Sequence, residues 1–219
     1  MDEREVRIDE RLSLIERKLS EHEGGAHAKP PAIANPGPLG LFAFGMTTLL
    51  LNLVNSGLVE DDTISLVLGY GMFYGGLAQL LAAMWEMRRG NTFAATAFGS
   101  YAAFWMGLAF WHILADGGIL AARTEFKDGF AAYLAVWGMF TCLLFVPTLR
   151  LNRALQSIFL TLTILFFLLA AGVYNETVHT IAGFVGIICA FTAIYTAWAE
   201  LVNEVWGKTI LPLWPVNRA

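Results

Sequence analysis

Charge is scarce in this chain, and its scarcity indicates the class of protein. Charged residues make up 15% of the 219 residues, whereas a soluble domain carries about 25%. Hydrophobic residues make up 57%, and the mean hydropathy is +0.57. This imbalance indicates that lipid solvates most of the chain. The net charge of −4 gives no reason to expect a nucleic-acid partner.

Cysteines and recognisable catalytic patterns are also nearly absent. The two cysteines, Cys142 and Cys189, lie in apolar stretches without the spacing of metal ligands. We therefore expect two small buried side chains, no metal and no cofactor. The chain contains no HExxH, GxSxG, P-loop or CxxC pattern, so we do not expect an enzyme.

Six apolar segments follow the polar N-terminus, and each is long enough to cross a bilayer as a helix. The predicted fold is therefore an all-α polytopic membrane protein with six transmembrane helices per protomer. No Lys or Arg lies in the middle of a span, which excludes a retinal-binding lysine. Acidic residues lie only near span ends, so no buried proton relay is evident. The predicted spans are Leu39–Leu58, Thr63–Trp85, Thr92–Ala115, Gly129–Thr148, Ala154–Tyr174 and Thr177–Val202.

The basic residues of the loops are unevenly divided between the two sides. Because cytoplasmic loops are enriched in Lys and Arg, we predict a plasma-membrane protein with both termini in the cytoplasm. The predicted cytoplasmic side has Lys29, Arg88, Arg89, Arg150, Arg153, Lys208 and Arg218, and the other side has Arg123 and Lys127.

The polar N-terminus precedes the spans as a separate unit. Its apolar residues recur at helical spacing, which predicts a cytoplasmic amphipathic helix over residues 1–24. About two heptads are too short to be stable alone, so a solvated helix and a coiled-coil seam between clustered copies both stay open. The apolar residues are Ile8, Leu12, Ile15 and Leu19. The remaining predicted segments are a linker at 25–34, the six-helix domain at 35–207 and a cytoplasmic tail at 208–219.

The stretch before the first span contains two prolines and reads Asn35-Pro36-Gly37-Pro38-Leu39-Gly40-Leu41. Proline suits the first turn of a helix and asparagine the position before it, so we predict Asn35 as the N-cap. Free N–H groups near Leu39 and Gly40 would then carry the positive end of the helix dipole, which attracts a carboxylate. A purely structural helix start is the alternative.

The spans contain neutral polar side chains where charges are missing. In lipid such groups must be hydrogen-bonded or face a watery path, and a buried amide is costly to leave unpaired. Hydrogen bonding between helices and a pathway for a small polar solute both fit this pattern. The side chains are Thr47, Thr48, Asn52, Asn55, Gln79, Thr96, Ser100, Tyr101, Thr141, Gln156, Thr161 and Thr163.

Aromatic and histidine side chains are the remaining candidates within the spans. The aromatic residues well inside the spans fit either core packing or a hydrophobic constriction in a pore. They are Phe44, Phe73, Tyr74 and Tyr101. His112 and His179 lie near the outer ends of spans, where a satisfied interfacial histidine is favoured over a proton-handling group.

The stretch from Asn35 to Leu41 resembles the NPxPLGL signature of the acetate uptake transporter family. The usual third residue is alanine or valine, and here it is Gly37. The resemblance covers nearly everything after Ala34. It continues through Phe44-Gly45-Met46-Thr47-Thr48, Asn52-Leu53-Val54-Asn55, Phe73-Tyr74-Gly75-Gly76-Leu77-Ala78-Gln79, Gly90-Asn91-Thr92-Phe93, Ser100-Tyr101 and Glu200-Leu201-Val202-Asn203-Glu204.

This resemblance implies a homohexamer in the lipid bilayer, with a pore through each protomer. Phe44, Tyr101 and Leu162 would form its narrow hydrophobic constriction. Glu86 matches a family position and is a candidate for coupling. The residues expected to contact the carboxylate are Thr47, Asn52, Asn55, Tyr74 and Gln79, beside Asn35, Leu39 and Gly40 at the helix start.

The function implied is passage of acetate and similar small monocarboxylates, with succinate as a further candidate substrate. The lack of a titratable group in mid-membrane favours channel-like flow, or protons that travel with the acid itself, over proton-coupled symport. Fungal relatives within the family make an ammonia or other neutral-solute facilitator the main alternative. A membrane sensor or scaffold that uses the N-terminal helix for partner contact is a third.

Overall fold

The computed structural model describes residues 11–16, 33–118 and 126–216. The chain divides into two compact units, Met1–Ala34 and Asn35–Ala219. In the first unit residues 11–16 are helical, with Leu12 and Ile15 about half exposed. The rest of the predicted amphipathic helix and most of the linker lie outside the described residues. Lys29, Arg123 and Arg218 do too.

The second unit contains six helices that are long and apolar enough to cross a membrane, within the residues that the structure describes. No strand occurs in this described part, so the predicted all-α fold with six spans is confirmed. The helices are α1 (Gly37–Asn55), α2 (Asp61–Arg89), α3 (Thr92–Asp116), α4 (Lys127–Thr148), α5 (Arg153–Gly172) and α6 (Glu176–Trp206).

Helix ends differ from the predicted ones by a few residues, for local reasons. α1 ends at Asn55, three residues before the predicted end, because Gly57 adopts a left-handed conformation with φ +73° that terminates the helix. α6 runs on to Trp206 and ends at a second left-handed glycine, Gly207. Hydropathy locates a span, whereas the glycine conformations locate its end.

Asparagine side chains begin three of the six helices. The side-chain oxygens of Asn91, Asn152 and Asn175 each accept a hydrogen bond from the backbone N–H three residues later. These bonds satisfy N–H groups that have no partner within the helix. The sequences of the short loops therefore set the starts of α3, α5 and α6.

The start of α1 differs from the prediction in two respects. Pro36, not Asn35, occupies the N-cap, although the Asn35 Oδ1 accepts the Gly37 N–H at 3.1 Å. The Gly40 N–H is not free, because it donates to the Pro36 carbonyl at 3.1 Å. The Gly40 N–H is therefore not available to an anion, because the helix that begins at Gly37 already uses it.

The six helices form a ring around a central axis. α1 packs against both α6 and α2. On one side α6 packs against α5 and α5 against α4, and on the other side α2 packs against α3. Side chains join α3 to α4 and complete the ring. The Tyr101 hydroxyl donates to Thr141 Oγ1 at 3.0 Å, and the Phe104 ring lies edge-on to Trp137 at 5.2 Å. Elements distant in sequence thus surround a shared interior.

The α1–α6 seam depends on two glycines in α6. A Cβ on Gly186 would overlap the side chain of Asn52, and a Cβ on Gly183 would overlap the backbone at Ser56. Asn52 is 1% exposed, and its amide donates to the Thr48 carbonyl at 2.8 Å. Small residues allow this close approach, which drives helix association in lipid.

The middle of α2 is a π-helix over Gly71–Ala78, which the sequence analysis did not predict. A π segment widens the turn, and such segments are frequent at functional sites. The helix resumes α geometry at Gln79, and its buried face then carries Gln79, Ala82, Ala83 and Glu86. The π segment therefore sets which face of the second half of α2 points inward.

Candidate transport pathway

Two cavities lie inside the helix ring, at opposite ends of the six-helix unit. The terminal-side cavity, about 720 Å³, lies where α1 begins and α6 ends, and its lining includes Asn35, Gln79 and Glu200. The far-side cavity, about 460 Å³, lies near the opposite helix ends and is lined by His112 and His179 among others. One turn of α3 separates their linings, so the cavities approach each other near the middle of the bundle.

The three predicted constriction residues meet at the base of the terminal-side cavity. Phe44, Tyr101 and Leu162 all line it, and each is 5% exposed or less. The rings of Phe44 and Tyr101 are in contact, with centroids 5.6 Å apart. All three belong to one buried apolar cluster. An apolar contact here separates the polar part of the terminal-side cavity from the far-side cavity.

Hydrogen bonds hold the Tyr101 ring in place. Its hydroxyl donates to Thr141 Oγ1 at 3.0 Å, and the Thr141 hydroxyl donates to the Trp137 carbonyl at 2.7 Å. The hydroxyl is therefore occupied by α4, which leaves the face of the ring, not its polar end, to contact Phe44. This bond was not predicted, because nothing in the local sequence pairs residues 101 and 141.

Gln79 is the least satisfied polar side chain of the pathway. It is fully buried and lines the terminal-side cavity near the constriction. Neither its amide nitrogen nor its carbonyl oxygen has a hydrogen-bond partner among the described residues. A buried unsatisfied amide costs about 1–3 kcal/mol, so its presence here calls for an explanation. An amide of this kind is available to a polar ligand.

Two carboxylates and an arginine lie farther out in the same cavity. Glu86 is 1% exposed, and its Oε1 lies 3.6 Å from the Arg89 guanidinium. Asn35 connects the two carboxylates: it accepts from Arg89 at 2.6 Å and donates to Glu200 at 3.4 Å. A Cβ at position 37 would lie 2.5 Å from the Glu200 carboxylate. The glycine there gives Glu200 space beside Asn35.

The other predicted contact residues lie apart from the terminal-side cavity. Leu39 is 43% exposed on the outside, and Gly40 lies against the Phe98 ring. Asn55 lines the far-side cavity instead. Thr47, Asn52 and Tyr74 line neither cavity: Thr47 donates to the Ala43 carbonyl, Asn52 lies in the α1–α6 seam, and the Tyr74 ring contacts Tyr70 at 5.2 Å. The structure thus separates polar residues that line a cavity from polar residues that pack helices.

The C-terminal segment 209–216 is part of the cavity wall, which the sequence analysis missed when it predicted a simple tail. The Asn203 side chain accepts from the N–H groups of Ile210 and Leu211 and donates to the Leu211 carbonyl, all within 2.9 Å. The Tyr195 hydroxyl donates to Pro212 at 2.8 Å. We call this segment the C-terminal strap.

The strap also holds the start of α5. The Arg153 N–H donates to the Trp214 carbonyl at 2.9 Å, and the Val216 N–H donates to the Leu151 carbonyl at 2.9 Å. Through these bonds the strap links the end of α6 to the helix that carries Leu162. The only sequence signal was Asn203 followed by a Pro- and Trp-containing apolar segment.

We expect Asn203→Ala to release the strap, because three hydrogen bonds, each contributing about 1 kcal/mol, are lost. Trypsin should then cleave the Lys208–Thr209 bond about a hundredfold faster than in the wild type, because cleavage follows the population of the released strap; mass spectrometry measures the rate. Asn203→Asp keeps the two accepted bonds and should show a smaller increase. Equal cleavage rates in all three proteins would contradict a docked strap.

These features define a polytopic helical membrane protein whose helices surround two opposed cavities separated by an aromatic contact. The chain belongs to the family described as GPR1/FUN34/yaaH, which matches residues 20–217. The resemblance noted from the NPxPLGL stretch is therefore confirmed.

Named relatives and a solved structure are similar over most of the chain. The succinate-acetate/proton symporter SatP of Escherichia coli (strain K12) is 45% identical over 183 residues, which are 83% of this chain and 95% of the relative. Acetate permease A of Emericella nidulans is 39% identical, over 85% of this chain and 69% of the relative. A structure described as that of the bacterial acetate channel SatP has a TM-score of 0.79 and 44% identity, covering 83% of this chain and 99% of the other.

Proposed function

We propose that this protein carries acetate and related small monocarboxylates, with the dicarboxylate succinate as a further substrate, across the plasma membrane through the interior of each protomer, without catalysis. The observation that carries the proposal is Gln79, a fully buried amide without a hydrogen-bond partner among the described residues, which lines the same cavity as Phe44 and Tyr101. The named relatives, which are transporters or channels for succinate and acetate, support the same substrate class.

The lining of the terminal-side cavity favours rapid, weak binding. Arg89 and Arg150 balance the charges of Glu86 and Glu200 in the lining, and neutral donors such as Gln79 replace part of the water of an entering anion. Conduction requires binding that is strong enough for entry and weak enough for exit, which neutral donors provide. The apolar contact of Phe44, Tyr101 and Leu162 then limits the size and hydration of what passes. This arrangement favours channel-like passage.

Proton-coupled symport is the second candidate mechanism, and Glu86 favours it. This carboxylate is buried, has one oxygen without a partner among the described residues, and lines the cavity. A current measurement in planar bilayers, with acetate as the only permeant anion, separates the mechanisms. Channel-like passage predicts an acetate current without a pH gradient. Uptake that requires an imposed gradient and carries no acetate current would support symport.

Flux measurements in liposomes distinguish a facilitator of ammonia or another neutral solute from a carboxylate transporter. They compare the uptake of labelled acetate with the uptake of ammonia.

We propose that both termini lie in the cytoplasm, because the described basic residues of the loops lie at the terminal side. They are Arg88, Arg89, Arg150, Arg153 and Lys208. The family resemblance and the exposed apolar faces of the helices support a homohexamer in the bilayer. Exposed residues on these faces include Phe73, Leu143 and Phe191.

We expect Gln79→Leu to lower acetate flux about tenfold, a barrier increase of about 1.4 kcal/mol, because the pathway loses its buried amide. The substitution should leave thermal stability unchanged or raise it, since the amide has no partner to lose. Flux into proteoliposomes and a melting curve measure the two effects.

Gln156→Leu is the matched control. The Gln156 amide donates to the Thr148 carbonyl at 3.1 Å and accepts from Arg153 at 2.8 Å, and the residue lines neither cavity. This variant should lose stability while the folded protein keeps its flux. Unchanged flux in Gln79→Leu would remove Gln79 from the pathway.

A further inference from the structure

We propose that the negative charge of Glu200 sets the substrate range, by making passage of a dicarboxylate such as succinate less favourable than passage of acetate. The inference rests on the proposed transport of small carboxylates and adds a specificity-determining residue to it. The sequence analysis assigned no role to Glu200. The apolar constriction limits the size of what passes, and Glu200 limits its charge.

Glu200 lies near the end of α6 and lines the terminal-side cavity. Its side chain reaches the start of α1, where the Asn35 amide donates to the Glu200 Oε2 at 3.4 Å. A Cβ at position 37 would lie 2.5 Å from the same oxygen. Alanine or valine, which the signature usually has at this position, would require the carboxylate to move. The placement of the Glu200 charge beside Asn35 therefore depends on Gly37.

A carboxylate of the chain itself thus lies against the first turn of α1. The positive end of a helix dipole attracts an anion. Here the Gly37 N–H donates to Asn35 Oδ1, the Gly40 N–H donates to the Pro36 carbonyl, and the Glu200 carboxylate supplies the negative charge. Because the helix start is already compensated, the net charge of the cavity lining governs how an entering anion is received.

The charged side chains of this lining balance each other. Among the residues that the structure describes, Arg89 and Arg150 supply two positive charges, and Glu86 and Glu200 supply two negative ones. Glu86 lies 3.6 Å from the Arg89 guanidinium, whereas Glu200 contacts the neutral amide of Asn35. Neutralising Glu200 would leave the Glu86–Arg89 pair in place and give the lining one net positive charge.

The electrostatic free energy of an anion in this lining is proportional to the charge of the anion. A cleft with low-dielectric walls focuses the field of its charged groups and strengthens this effect. Succinate carries two negative charges and acetate carries one, so the Glu200 charge raises the free energy of succinate about twice as much. A change that multiplies acetate passage by some factor should therefore multiply succinate passage by about the square of that factor. A purely steric role of Glu200 predicts no such relation.

The test compares Glu200→Gln with the full-length wild type in liposomes, by initial uptake of labelled acetate and labelled succinate at about pH 7.5, where both substrates are ionised. Glutamine has the shape of glutamate, and its side-chain oxygen can still accept from Asn35, so the charge is what changes. We expect uptake at low substrate concentration to rise about threefold for acetate and about tenfold for succinate. The ratio of the two rates does not depend on the amount of folded protein.

The chain supplies its own controls. Glu204→Gln removes a carboxylate one turn farther along α6 that is exposed and lines neither cavity, and it should keep the wild-type ratio. Glu200→Asp keeps the charge and should also keep the ratio. Raising the ionic strength from about 0.01 M to about 1 M should reduce the difference between Glu200→Gln and the wild type, because salt screens charges. Glu200→Ala is a second neutral variant if the melting curve shows that Glu200→Gln does not fold.

A wild-type ratio in the folded neutral variant, or an equal change for acetate and succinate, would overturn the inference. An equal shift of the ratio in Glu204→Gln would overturn it too, since the effect would then not belong to the cavity. The same assay separates this failure from failure of the proposed function. Carboxylate flux with an unchanged ratio contradicts only the role of Glu200, whereas no flux of either carboxylate through the wild type contradicts the transport function itself.

Discussion

Phe44→Ala should raise acetate flux about tenfold, a barrier decrease of about 1.4 kcal/mol, and should admit larger carboxylates. The Phe44 ring contacts Tyr101 at 5.6 Å between centroids and forms part of the apolar closure between the two cavities. Removing it leaves space that water can enter, so an anion would cross this point with more of its hydration. Proteoliposome flux with acetate, succinate and a branched monocarboxylate measures both effects.

Stability must be followed alongside flux in this experiment. A buried Phe→Ala substitution costs about 3–5 kcal/mol, so a loss of folded protein would otherwise hide the gain. Phe110→Ala is the matched control, because Phe110 is 57% exposed and lines neither cavity. It should leave flux and substrate size unchanged. If Phe44→Ala changes neither rate nor substrate range in the folded protein, Phe44 is not part of the constriction.

Gly186→Ala should destabilise the protein by disrupting the α1–α6 seam. Its new methyl group would overlap the side chain of Asn52, which is fully enclosed and cannot move aside without breaking its bond to the Thr48 carbonyl. Overpacking of this kind costs about 1–3 kcal/mol or more. The melting temperature of the detergent-solubilised protein measures the loss.

Gly107→Ala separates the steric effect from the change of residue type. Gly107 lies within α3, and a Cβ there would meet nothing within 4 Å. This variant should gain about 0.5–1 kcal/mol from helix propensity. Asn52→Ala added to Gly186→Ala should restore part of the lost stability, since the two residues are in contact. Equal melting temperatures for Gly186→Ala and Gly107→Ala would disprove the close packing at Asn52.

Local sequence determined the membrane-spanning fold. Hydropathy is a property of consecutive residues, so the spans could be located within a few residues of their ends. Asparagine caps and left-handed glycines, such as Asn152 and Gly57, then set the ends through contacts within a few residues. The resemblance placed Phe44, Tyr101 and Leu162 at a constriction, and all three line one cavity.

Tertiary packing determined which polar residues face the pathway. Asn52 and Gln79 are both buried amides, and the sequence analysis treated them alike. Asn52 lies in the seam opened by Gly186 and is hydrogen-bonded, whereas Gln79 lines a cavity without a partner. Successive side chains of an α-helix point about 100° apart around its axis. The π segment before Gln79 has wider turns, so it changes the face of α2 on which Gln79 lies.

Burial and hydrogen bonding between helices depend on contacts between different elements of the fold, which the local sequence does not show. The strap at 209–216, the Tyr101–Thr141 bond and the enclosure of His112 and His179 around one cavity all depend on such contacts. Scarce charge and long apolar segments therefore established a membrane protein from the sequence alone. Which neutral polar residues line a cavity was decided by how the six helices rotate and pack around a common axis.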